Sequence, residues 1–380
     1  MKNAVIAGYC RSPFTPAHKG ALATVRPDDL AARVIRGLIE KTGVDPGDVE
    51  DLILGCAFPE GEQGFNLARL LVHLADLPVT VAGMTVNRFC GSSMQAIHIA
   101  AGAIQMGAGE AFVCAGVESM TRIPMGGFNP MPNPALYTAF PQAYMSMGET
   151  AENLARKYAI SRVDQDAFAL ASQQKAWSAQ QTGRFAEEIV AIDSRDMGRI
   201  DRDGCIRPDT SLEVLAKLPP AFLEGGSVTA GSSSPLTDGA AAVLVCSEDY
   251  AKTKGLARMA RIKAIAVSAC APDIMGIGPV AATAKALRRA GLSLEDMDLV
   301  ELNEAFAAQT LAVLKELPIP QEKLNLDGGA IALGHPLGAS GARITGKAAS
   351  LLRRENKRYA LATMCIGGGQ GIATILEAVS

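Results

Sequence analysis

Apolar positions along the chain fall into two recurring patterns. Short, nearly charge-free runs at 4–9, 111–117 and 359–365 read as strands buried on both faces. Stretches at 29–42, 94–101 and 281–290 repeat their apolar residues at helical spacing and read as helices. Strands alternating with helices predict a mixed sheet covered by helices, an α/β fold.

The pattern occurs twice. At a constant offset of 248 residues, 43–48 with Leu52-Ile53-Leu54-Gly55-Cys56-Ala57-Phe58 lies over 291–296 with Val300-Glu301-Leu302-Asn303-Glu304-Ala305-Phe306. At the same offset, the strand run at 111–117 falls over that at 359–365. One offset serving every match is the mark of an internal duplication. Between the copies, 119–148 carries Met120, Met125, Met131, Met145 and Met147 with repeated Pro and Gly. That is too long for a structureless loop, and it reads as a lid or insertion. Residues 150–188 turn helical, and 192–219 are polar and irregular. The expected organisation is a first half over 1–118, an inserted loop region with a return to that half over 119–248, and a second half over 249–380.

With 380 residues, 48 % apolar and 20 % charged, the chain has ample material for a buried core. A net charge of −3 and 5 % aromatic residues exclude a nucleic-acid binder and a protein held on anionic membranes by charge. No charge-free apolar run reaches the roughly 20 residues of a membrane span. The N-terminal run is too short for a signal sequence, so a cytoplasmic location is expected. The eight Cys (10, 56, 90, 114, 205, 246, 270 and 365) contain no close pair, which predicts neither a zinc cage nor a disulfide framework.

Four segments are candidates for chemistry. The apolar run 81–86 leads through Asn87-Arg88-Phe89 to Cys90 and then to a helix. A helix N-terminus favours an anion and is expected to lower the Cys90 thiol toward neutrality. The alternative is a buried small apolar residue. His335, one of four His, precedes a helix in Gly334-His335-Pro336-Leu337-Gly338, and the repeat register sets Cys90 over Gly338. Across a pseudo-twofold axis the two helix starts would face one another, giving a thiol and a base; a structural hydrogen bond is the other reading of this His. Gly367, Gly368, Gly369 and Gly371 follow Cys365 closely enough to aim backbone N–H groups at an oxyanion, or to make only a tight turn. Asn303 and Glu304 stand at a strand-to-helix junction, where helix capping is the default role. A near match to a phosphate-binding loop at 341–347 has Ala348 where Ser or Thr is needed and lies inside a helix pattern, so it is set aside.

Together these segments resemble the thiolase family. Asn87-Arg88-Phe89-Cys90-Gly91-Ser92-Ser93, Asn303-Glu304-Ala305-Phe306, 328–336 and Cys365-Ile366-Gly367-Gly368-Gly369-Gln370-Gly371 carry the resemblance, which runs from the first strand to the last and is weakest in the middle. It implies an α/β fold of five layers, α-β-α-β-α, with an inserted loop domain. It also implies thiolytic cleavage of a 3-ketoacyl-CoA, with Cys90 as nucleophile, His335 as base and Cys365 as the second acid and base. One oxyanion hole would be His335 with a water held by Asn303, the other the N–H groups of Cys90 and Gly367. Coenzyme A, a substrate rather than a bound cofactor, would meet Arg207 at its adenine end and Ser234 along its pantetheine arm. Phe222, Met147, Ala230, Leu236, Ala305 and Phe306 would line its path. The resemblance further implies a homodimer or homotetramer, with a hydratase/dehydrogenase subunit as a further partner. Ser146 stands where acetoacetyl-specific members carry His, which leans toward the degradative, longer-chain branch; an acetoacetyl-CoA thiolase is the alternative.

Overall fold

The computed structural model describes residues 2–379; Met1 and Ser380, the outer limits of the expected halves, lie outside the described residues. The first half runs β1 (Ala4–Arg11), β2 (Thr15–Pro16), α1 (Pro27–Thr42), β3 (Val49–Gly55), α2 (Leu67–Leu74), β4 (Ala82–Val86), α3 (Ser92–Met106) and β5 (Ala111–Ser119). The middle holds α4 (Pro134–Ala139), α5 (Met147–Lys157), α6 (Arg162–Gln181), the hairpin β6 (Ile192–Ser194) and β7 (Gly198–Ile200), and α7 (Leu212–Ala216). Then come β8 (Thr237–Ser247), α8 (Glu248–Lys254), β9 (Ala260–Ala269), α9 (Gly278–Ala290), β10 (Leu299–Leu302) and α10 (Ala307–Glu316). The chain closes with α11 (Ala330–Leu333), α12 (Leu337–Arg354), β11 (Tyr359–Ile366) and β12 (Gln370–Glu377).

The 248-residue offset read from the sequence recurs in the element limits: α1 and α9 end at Thr42 and Ala290, and α3 and α12 at Met106 and Arg354. Both α1 and α9 carry Pro in their first turn, bases in their last, and a left-handed Gly cap at Gly43 and Gly291. The strand order is β4-β3-β5-β8-β1 in the first half and β9-β12-β11-β10 in the second. A short antiparallel ladder, Val5 with Arg261 and Ile6 with Ala260, joins the halves into one sheet. β8 returns from the inserted region to pair with both β1 and β5.

Three apolar cores give the layering. Leu30, Ile35 and Leu38 of α1 pack on Leu52, Leu54, Val113 and Leu244 at one outer face. Ala282, Ala286 and Leu287 of α9 pack on Val300, Leu361 and Ile375 at the other. Between the two sheet halves, α3 and α12 bury Met94, Ile97, Ile344 and Leu351 against Ile53, Val243, Ala362 and Ile372. Each large side chain so buried contributes about 1.5–3 kcal/mol. This is the five-layer arrangement. The two central helices meet start to start, where the Ser93 hydroxyl accepts the Ala342 N–H at 2.8 Å. They come this close because of glycine: a Cβ at Gly341 of α12 would lie 2.8 Å from the Met94 side chain of α3.

His98 of α3 lies inside this central layer, its Nε2 2.8 Å from the Thr374 hydroxyl. Burial first, then Arg88 and Arg289, lowers its pKa from 6.5 to about 3, so it is neutral in the fold. An unfolded chain takes up that proton below pH 6.5, and the fold therefore loses stability as pH falls from 6.5 toward 3. Between pH 7 and pH 5 the loss is expected to be about 2 kcal/mol smaller in His98→Asn than in the native chain. Urea unfolding at both pH values measures this, and equal losses would contradict it.

Candidate active site

Cys90 is presented by a strained turn. After β4 the backbone passes through Asn87 and Arg88 into a single 3-10 turn, Phe89–Gly91, just ahead of α3. Phe89 is left-handed, with φ 43°, a conformation that costs a non-glycine residue about 1–3 kcal/mol. Side chains hold it there. Asn87 Oδ1 accepts the Phe89 N–H at 2.8 Å. The Ser92 hydroxyl accepts the Arg88 N–H at 2.9 Å and donates to the Phe89 carbonyl at 2.6 Å. Cys90, partly exposed, packs with Ala17, Ala57, Met120 and Leu337.

The thiol is not lowered, as its helix-start position suggested. Burial raises its pKa to about 11, against backbone N–H groups of Gly367 and Cys90 that pull it down and Glu118, which adds to the rise. Desolvation outweighs the helix start because Cys90 precedes the helix and is walled in by apolar side chains. Alkylation of Cys90 by iodoacetamide in the free protein is therefore expected to climb about tenfold per pH unit from 7 to 10. A plateau near pH 7 in peptide-mapped rates would contradict it.

The Gly367 N–H, which pulls the Cys90 thiol down, belongs to the second half and brings the halves together here. Gly367 begins the turn between β11 and β12, where Gly368 and Gly369 have φ of 79° and 86° and so require glycine. The Cys90 turn lies directly on this strand end, with Ile366 2.6 Å from where a Cβ at Gly91 would stand. Cys365, buried on β11, is raised far above the usual thiol range by burial, and next by the charge of Cys90 beside it. Both thiols are thus protonated at neutral pH.

His335 and Asn303 make a second group. Asn303 Nδ2 is 3.3 Å from His335 Nε2, and Asn303 Oδ1 is buried without a protein partner. The Ser340 hydroxyl donates to the Pro336 carbonyl at 2.9 Å, so it accepts from His335 Nδ1 at 2.6 Å. That assigns the imidazole proton to Nδ1 and leaves Nε2 as the acceptor. Burial, then Arg343, lowers the His335 pKa to about 3, which keeps the ring neutral. The capping role expected for Asn303 and Glu304 does not hold: α10 starts at Ala307 after Phe306, and both residues lie buried in the preceding loop. Glu304 instead ties that loop down, accepting from Ser172 Oγ at 2.6 Å, Asn325 Nδ2 at 2.7 Å and the Ile331 N–H at 3.3 Å.

An apolar passage leads to these groups. Met147 packs with Cys365, Met275, Ala305 and Phe306, and its sulfur lies 3.3 Å from where a Cβ at Gly367 would be. Phe222, 41 % exposed, meets the Phe306 ring edge-on at 5.7 Å. The Ser234 N–H donates to the Ala305 carbonyl at 3.0 Å, which lays the loop carrying Ala230, Ser234 and Leu236 along 305–307. Ala230 and Leu236 are exposed on its outer side. Arg207 stands apart and exposed, its backbone N–H on Gln173 Oε1 at 2.8 Å. Sequence reasoning missed Ser340 and Met275, and the left-handed conformation of Phe89. Ser340 had a signal, its place five residues after His335 at a helix start; Met275 sits in an irregular turn and had none.

Among the described residues, no group of three or more His, Cys, Asp and Glu is placed to hold a metal ion. No helix there is long and apolar enough to cross a membrane.

Two family models match the chain: "Thiolase, N-terminal domain" over residues 4–249 and "Thiolase, C-terminal domain" over 256–378. The 3-ketoacyl-CoA thiolase of Bacillus subtilis is 46 % identical over 389 residues, covering 99 % of this chain and all of the relative. Human mitochondrial 3-ketoacyl-CoA thiolase in complex with CoA superposes with a TM-score of 0.91 at 40 % identity, over 100 % of this chain and 98 % of that one. The Bacillus anthracis acetyl-CoA acetyltransferase does so with 0.92 at 41 % identity, over 100 % and 99 %.

Proposed function

The chain belongs to the thiolase family, and on that premise we propose that it cleaves a 3-ketoacyl-CoA with CoA through an acyl group carried on Cys90. Its activity is that of a 3-ketoacyl-CoA thiolase, an acyltransferase. The observation that carries the assignment of residues is the packing of the Cys90 turn on the glycine turn after Cys365: a Cβ at Gly91 would lie 2.6 Å from Ile366, and one at Gly367 3.8 Å from the Phe89 ring.

The steps follow from the protonation states. Cys90 gives its proton to His335 Nε2 as its sulfur attacks the 3-keto carbon. The oxyanion forms next to that sulfur, where the Cys90 and Gly367 N–H groups receive it. The bond between the second and third carbons breaks and leaves its electron pair on the acetyl-CoA fragment as an enolate. Its oxygen faces the protonated His335 and a water accepted by Asn303 Oδ1. The Cys365 thiol, kept neutral by burial, protonates the second carbon, and acetyl-CoA leaves. Incoming CoA passes its proton to the Cys365 thiolate and attacks the acyl group. The shortened acyl-CoA departs, and Cys90 recovers its proton from His335.

Met147, Ala305, Phe306 and Phe222 would line the acyl and pantetheine path with Ser234, Ala230 and Leu236, and Arg207 would meet the far end of CoA. Ser146 caps α5 in a reciprocal pair with Glu149, and Met147 and Met275 offer adaptable side chains to acyl groups of different length. This supports the longer-chain branch. Measured kcat/KM is expected to be higher for an eight- or ten-carbon 3-ketoacyl-CoA than for acetoacetyl-CoA; the reverse order would assign the chain to the acetoacetyl-CoA branch. A homodimer or homotetramer belongs to the same proposal. β4, the half-exposed edge of the sheet, and the exposed Met125, Phe128, Met131 and Tyr137 offer surfaces for a second copy or a hydratase/dehydrogenase subunit. A cytoplasmic location is proposed with it.

A further inference from the structure

Glu118, near the end of β5, is 1 % exposed and joins the two halves of the molecule at the site. Its Oε2 accepts the N–H groups of Ala57 and Gly338 at 2.8 and 2.9 Å. Its Oε1 accepts Gln63 Nε2 at 2.8 Å and the Phe58 N–H at 3.3 Å. Gln63 is itself oriented, because its Oε1 accepts the Ser119 N–H at 2.7 Å. Burial raises the pKa of Glu118, and these four donors, none of which can accept a carboxyl proton, favour its ionised form. Gly338 is the second residue of α12, three beyond His335, and its N–H is one that the helix itself leaves unpaired. Ala57 packs against Cys90 and Leu337.

We infer that Glu118 is a positioning residue: its carboxylate clamps the start of α12, and with it His335, against the Ala57–Phe58 segment on which Cys90 rests. The inference rests on the proposed roles of Cys90 and His335. Reach and charge act separately. The reach to Gly338 fixes where the base stands. The charge opposes ionisation of Cys90, which also lies beside the Cys365 thiol of β11, while Arg88 on its own segment is engaged by Gln370 at 2.8 Å.

Two variants separate these effects. In Glu118→Gln, kcat is expected to fall about 10²-fold through misplacement of the base, with KM for CoA unchanged. Iodoacetamide is expected to alkylate Cys90 several-fold faster at pH 8, because the opposing charge is gone. Glu118→Asp keeps the charge but is one carbon too short for Gly338; turnover is expected to fall while alkylation stays at the native rate. Should Glu118→Gln fail to fold, Glu118→Asp carries the test alone. Native kcat in either folded variant, or turnover and alkylation falling together, would overturn the inference. A native chain that forms no acyl-Cys90 would overturn the functional reading and this inference with it.

Discussion

Cys90→Ala is expected to lower kcat by on the order of 10⁴–10⁶-fold, the scale seen when the nucleophile of a covalent mechanism is removed. The loss should be confined to chemistry. Ala keeps the Cβ on which the turn packs, and the hydrogen bonds that hold Phe89 left-handed come from Asn87 and Ser92, neither of which is changed. Binding of CoA should therefore stay within about twofold of native, since the passage is built by Met147, Phe306 and Phe222. Steady-state thiolysis and a separate CoA titration measure the two halves of this expectation. A residual kcat within 10²-fold of native would mean that the sulfur is not the attacking atom.

His335→Asn is expected to cost about 10²–10⁴-fold in kcat, the usual worth of a positioned base. Its pH profile distinguishes lost catalysis from lost structure. In the native chain His335 is neutral down to about pH 3, so kcat/KM should show no acidic limb near 6.5. Without the base, reaction requires Cys90 to be ionised beforehand, and its thiol is raised to about 11. The variant's kcat/KM should then rise about tenfold per pH unit between 7 and 9, recovering part of the loss at high pH. A native acidic limb at pH 6–7, or a flat profile in the variant, would contradict the role of His335 as a neutral base.

The repeat and the alternation of strands and helices were legible because each leaves a local signature. So were Cys90, His335, Asn303 and Cys365 as candidates, which the fold brings into two groups, Cys90 with Cys365 and His335 with Asn303. Helix spacing, Gly caps and glycine clusters are written in consecutive residues. Burial is not. The expected low pKa of Cys90 failed because a helix start can be read from the sequence, whereas the wall of Ala17, Ala57, Met120 and Leu337 comes from four separate segments. Asn303 and Glu304 misled in the same way: at a strand-to-helix junction they look like caps, but Ser172, Asn325 and Ile331 draw Glu304 inward from elsewhere in the chain. Glu118 carried no signal at all, since a lone acidic residue at a strand end acquires its role only when Gly338 arrives 220 residues later.

The central claim is that the acyl group passes through Cys90. Mixing the protein with a medium-chain 3-ketoacyl-CoA in the absence of free CoA, then weighing its peptides, tests it most directly. The account predicts an acyl adduct two carbons shorter than the substrate on the peptide containing Cys90, removed when CoA is added. An adduct on Cys365 or another thiol, or none on Cys90 while acetyl-CoA is released, would contradict it.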